Sequence, residues 1–271
     1  MLKISFGKYI KASVKKCITY YKNSIDESYI VSVSGNSSIL EASFFPPIQL
    51  NPSKHYVIGF TDLWTFNSIP NIYEGHNEIC FSRIEKEKTS GKDITAEKVI
   101  TLPTGSYELE ELTAELKARC QKLGISFTLK SNENTLKTTI ESDWNIDFRG
   151  KNTFYDLLGF KSKLYTSGKV YESENTVKII GVNSIKVECS IATGSYHNGQ
   201  LVHTLHEFFP SVPTTYKIIE SPSEVIYLPI KADSTIDNIQ FRLVDQDGKL
   251  VDFRKEIISL RVHIKNNGNK L

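Results

Sequence analysis

The sequence predicts a mainly β, antiparallel sandwich with one inserted α-helix. Three observations carry this expectation. Short runs rich in Val, Ile, Thr, Phe and Tyr alternate apolar with polar residues. Pro, Gly, Asn and Asp punctuate them at spacings of roughly 8–12 residues, as in sandwiches and barrels. The period changes to that of a helix once, at about 107–123. Strands do not alternate with helices, so a parallel βαβ sheet is disfavoured.

The elements follow in order. YIVSVS (29–34) reads as a strand stopped by Gly35 and Asn36. ILEASFFPPIQL (39–50) is extended, and Pro46–Pro47 keeps it out of a central ladder position. HYVIGFTDLWTF (55–66) reads as a largely buried strand after the turn Asn51-Pro52-Ser53. ICFSRIE (79–85) is a strand, and 86–98 a charged, exposed hairpin or loop.

Residues 102–124 then carry the helix. Ser106 is the expected N-cap, with acids in the first turn, bases toward the end and Gly124 as the C′ residue. Leu109, Leu112, Leu116, Cys120 and Leu123 form its apolar stripe. ISFTLK and TLKTTIE pair as a hairpin, and TFYDLLGF (153–160) is a short helical turn. Strands fill the last third, and Asp247-Gly248 marks a tight hairpin turn. The expected total is eleven to thirteen strands.

At 271 residues, 39% hydrophobic and 24% charged, the chain can bury a sizeable core and is excluded from the disordered class. Its organisation reads as an arm, 1–26, and one domain, 27–271, with a helix–hairpin insertion at about 102–160. The arm carries Lys3, Lys8, Lys11, Lys15, Lys16 and Lys22, and residues 1–25 hold no acid. Removing those six lysines from 33 bases leaves 27 against 31 acids, a body of about −4. Such an arm suits a polyanion such as DNA, or an acidic protein neighbour.

Cys17, Cys80, Cys120 and Cys189 form no CxxC pair and no disulfide framework. The start of the sequence lacks a continuous apolar stretch, and no run is long enough to span a membrane. Synthesis and retention in the cytosol or nucleus are expected.

Little local chemistry stands out. His197, His203 and His206 lie close together, but 203 and 206 differ by an odd number and should face opposite sides of a strand. Asp245, Asp247 and Gly248 resemble part of a calcium loop without its distal ligands. No nucleophile elbow, phosphate loop or dinucleotide fingerprint is present. The expectation is no catalytic residue, no metal and no cofactor. Trp64, Phe66, Tyr73 and Trp144 leave a carbohydrate platform open as an alternative.

Six segments in order carry a resemblance: 44–50 (FFPPIQL), 63–72 (LWTFNSIPNI), 102–117, 154–160 (FYDLLGF), 182–230 and 241–264. Together they resemble proteins of the Polinton/Maverick elements and the related adintoviruses. The resemblance covers about 44–265 and leaves the arm outside. It implies a jelly-roll capsid protein in the virion, made in the host cytoplasm and assembled there or in the nucleus. That family has a double jelly-roll major capsid protein and a single jelly-roll penton, or minor capsid protein, which forms a homopentamer at icosahedral vertices beside the major one. Two rolls need about sixteen strands, which strains this length, so the penton is the expected role. The alternatives are another jelly-roll component (major subunit or spike), a carbohydrate-binding sandwich, and a hydrolase whose site assembles only in space.

Overall fold

The computed structural model of the chain describes residues 27–87, 92–232 and 234–269. The arm lysines Lys3, Lys8, Lys11, Lys15, Lys16 and Lys22 lie outside them.

Three long strands open the fold. β1 (Ser28–Gly35) buries Val31 and Val33 and exposes Ile30, Ser32 and Ser34, the period of a strand with one wet face. β2 (Ile39–Gln49) follows, and β3 (Lys54–Phe66) is buried without a break from Tyr56 to Phe60. An inserted unit comes next: β4 (Glu78–Lys86), β5 (Asp93–Thr101), α1 (Leu109–Lys122), β6 (Phe127–Asn132), β7 (Lys137–Ser142), β8 (Asn145–Asp147), β9 (Leu164–Tyr165) and β10 (Val170–Glu172). The chain then returns through β11 (Ile185–Cys189), β12 (Ser195–His197), β13 (Gln200–Val202), β14 (Thr204–Phe208), β15 (Lys217–Glu220), β16 (Tyr227–Pro229), β17 (Thr235–Val244) and β18 (Ile258–Asn269).

Two antiparallel sheets make the sandwich. One runs β1-β18-β3-β15, with β16 also pairing with β3. The other runs β14-β11-β17-β2. Numbering only these eight framework strands consecutively, the orders are 1-8-3-6 and 2-7-4-5. These are the two interlocked Greek keys of a jelly roll. The described residues form one such roll. Its core draws on both sheets, with Ile58, Phe60, Leu260 and Val262 facing Val187, Ile239, Phe241 and Leu243.

The inserted unit joins β3 to β11 and has its own core. Ile79, Phe81, Leu112, Leu116, Trp144, Phe148 and Phe160 belong to a second buried cluster, distinct from that of the sandwich. Its sheets run β5-β4-β8-β9 and β10-β7-β6. This cluster begins at Ile72 and reaches Ile179, a wider span than the 102–160 expected. The reason is that β5 pairs with β4 and β4 with β8 of the insertion, and neither joins a sandwich sheet.

Several local expectations differ from the structure. The N-cap is Glu108, which forms a capping box with Glu111, while the Ser106 hydroxyl instead donates to Ile69 O at 2.5 Å. Leu123 is exposed at the helix end. Residues 93–98 are strand, paired register by register with β4. Residues 153–160 are turns closed by Gly159 at φ 82°, without a helix. The strand total is higher than expected because several pieces, such as β8, β9, β12 and β13, are only two or three residues long.

Candidate assembly surfaces

Several chemically suggestive side chains have structural partners. A bulge between Val187 and Glu188 shifts the β11–β14 register beside His206. His206 stacks on Phe60 of the opposite sheet at 4.4 Å and 7°, and its Nε2 meets Glu220 Oε1 of β15 at 2.8 Å. It therefore clasps the two sheets along one edge. His203 Nδ1 lies 2.7 Å from Ala192 O, and His197 sits in the exposed β12–β13 hairpin. Among the described residues no group of His, Cys, Asp and Glu is placed to hold a metal. Asp245 caps the tight turn, accepting from the N–H groups of Asp247 at 2.8 Å and Lys249 at 2.9 Å.

Burial pushes the Cys120 thiol up to about 12 and that of Cys189 to about 11, so both are protonated at neutral pH. Burial, with nearby acids, also raises Cys80. On the outer face of the first sheet, Ser28 Oγ lies 2.6 Å from His263 Nε2, and the Tyr227 hydroxyl 2.7 Å from His263 Nδ1. Burial and the neighbouring Lys265 hold His263 below its ordinary pKa, which keeps it neutral at pH 7. A Ser–His hydrogen bond is one component of a nucleophile. In the ladder Ser28 pairs with Lys265 and His263 with Gly59.

The aromatic platform does not form. Trp144 is 1% exposed inside the second core, with Arg83 and Lys98 each 4.3 Å from its ring centroid. Lys217 Nζ covers Trp64 at 4.2 Å. Phe66 and Tyr73 remain exposed, and Tyr73 stacks on His76 at 5.2 Å.

Apolar exposure is found instead on the two flanks of the sandwich. On the flank of edge strands β1 and β2, Ile30 and Ile39 are exposed, and Phe45 is 101% exposed. Phe45 lies where the β2–β17 register breaks between Ile236 and Asn238, so residues 44–47 bulge from the edge. The two prolines there withhold N–H groups and deter ladder extension. On the opposite flank, Phe209, Tyr216, Ile219 and Ile226 are exposed beside β14, β15 and β16. The outer face of the second sheet is polar by contrast, with Arg242 Nη1 2.9 Å from Glu188 Oε2 and Asn238 bonded to Glu41.

Sequence reading placed Phe45 on an edge strand but assigned it no role. Nothing local marks the Phe209–Ile226 flank, because which strand forms an edge depends on topology. Among the described residues no helix is long and apolar enough to cross a membrane.

Strand order and core placement define the class: a single jelly-roll β-sandwich carrying an inserted α+β unit with its own core. Among solved structures the chain is similar to the crystal structure of a mavirus penton protein, at 9% identity and a TM-score of 0.44, covering 89% of this chain and 100% of that one. No protein-family model matches the sequence, and no curated protein does.

Proposed function

We propose that the chain is a viral capsid protein, the penton, which assembles as a homopentamer through its two flanks and is not an enzyme. The observation that carries this reading is the jelly roll with unpaired apolar residues on opposite flanks. A closed ring needs a heterologous contact, in which one flank of a copy meets the other flank of the next. Phe45, Ile30 and Ile39 on one side, and Ile219, Tyr216 and Phe209 on the other, supply such a pair of surfaces. Burying them would provide most of the association energy. The resemblance of six ordered segments to Polinton/Maverick and adintovirus proteins supports the same role, with the major capsid protein as the further partner in the virion.

Charge introduced on one flank tests the contact. Light scattering of Phe45→Asp and Ile219→Asp, one on each flank, should show loss of the oligomer formed by the unaltered chain, with folding retained because both side chains are exposed. An oligomer that survives both substitutions would remove the flanks from the interface. Stable trimers would favour the major-subunit alternative.

A further inference from the structure

We infer that the cleft between the jelly roll and its inserted unit is the docking groove for the amino-terminal arm of this same chain. The groove lies where both linkers to the insertion, 69–73 and 177–183, run beside the β17–β18 turn at 245–252. Its volume is about 840 Å³, within the size range of built binding sites. Ile69, Pro70, Leu157, Ile179, Val182 and Leu250 give it an apolar lining, and Ile180 beside them is 68% exposed. Four carboxylates, Asp156, Asp245, Asp247 and Asp252, line it against two lysines, Lys178 and Lys249. Tyr73 and His76 complete the titratable lining, and His76 holds Asp156 at 2.7 Å.

The arm has the complementary composition. Its six lysines are interleaved with Ile4, Phe6, Tyr9, Ile10, Val14 and Ile18, and residues 1–25 contain no acid. An apolar groove rimmed by net negative charge matches an apolar segment studded with lysines better than it matches the phosphate backbone of DNA. Reach is sufficient. Glu27 is fixed at the far end of the sandwich, its carbonyl accepting from Asn266 N at 3.0 Å and its carboxylate 3.6 Å from Lys54 Nζ. The groove lies past the other end of β3, about 40 Å away at the strand rise per residue. The residues before Glu27 span about 85 Å when extended. The arm is therefore long enough to reach the groove of its own copy. The contact requires no particular ring size, so its failure and that of the five-fold reading are separable.

Carbodiimide cross-linking of the full chain, followed by peptide mass analysis, reads the contact directly. Links should join Lys8, Lys11, Lys15 or Lys16 to Asp156, Asp245, Asp247 or Asp252. Links only to carboxylates elsewhere, or none from the arm, would overturn the proposal. A second measurement uses a labelled peptide of residues 1–25 and a chain starting at Asp26, which keeps both buried cores. Anisotropy should show saturable binding that weakens about five- to tenfold on joint Asp156→Lys and Asp247→Lys substitution and weakens further with salt. Peptide affinity indifferent to those substitutions would also overturn it. So would duplex DNA protecting the arm lysines while the groove carboxylates stay unlinked.

Discussion

Leu116→Ala tests whether the inserted unit is held by its own core. Leu116 is 0% exposed on α1 and belongs, with Leu112 and Cys120, to the cluster around Trp144. Truncating a leucine buried to this degree costs about 3–5 kcal/mol, the transfer term plus the cavity left behind. With a urea slope of about 1.5 kcal/mol per M for a unit of this size, the midpoint of the insertion should fall by about 2–3 M. The two tryptophans provide the assay, because Trp144 sits in the insertion and Trp64 on β3 of the jelly roll. Emission is followed in Trp64→Phe and Trp144→Phe backgrounds, each with and without Leu116→Ala. The signal from Trp144 should shift to lower urea while that from Trp64 stays within about 0.5 M of its parent. Equal shifts of both signals would refute the two-core reasoning and mean that the chain unfolds as one cooperative unit.

Further predictions concern single positions. A Cβ at Gly159, where φ is 82°, would lie 2.3 Å from Asn175 O, so Gly159→Ala should cost more than about 2 kcal/mol on the Trp144 signal. Gly75→Ala has φ 86° but open space around it, and should cost only about 1 kcal/mol, so equal costs at the two positions would argue against the close approach. Burial and Lys265 lower the pKa of His263, so the unfolded chain binds more protons between the folded and unfolded values. Its contribution is complete above about pH 6.5 and is lost as pH falls from there toward the folded pKa. Urea midpoints at about pH 7.5 and pH 5 should therefore differ less in His263→Gln than in the parent, and an unchanged difference would exclude His263 as a source.

What the sequence shows and what it hides divide along physical lines. β1, β3 and α1 are legible because their periods are local: Val31 and Val33 alternate with Ser32 and Ser34, and Leu112 and Leu116 stand one turn apart. Pro46–Pro47 correctly marks β2 as an edge. The N-cap is displaced because tertiary contact recruits the Ser106 hydroxyl to Ile69 O, which leaves Glu108 to close the helix. β5 was masked by its charge, since Asp93, Glu97 and Lys98 make a strand with one wet face look like a loop. The His206–Glu220 clasp, the flanks and the cleft depend on which strands become neighbours across long separations. The resemblance to a viral family supplied the topology, which local periodicity does not encode.

The proposed assembly is a five-membered ring of single jelly rolls. The most direct measurement is the mass of the purified, unaltered chain in solution by native mass spectrometry. A protomer of 30.7 kDa predicts a dominant species near five times that mass, about 154 kDa. A population that stays at the protomer mass across the accessible concentration range, or that stops at three copies, would contradict the account.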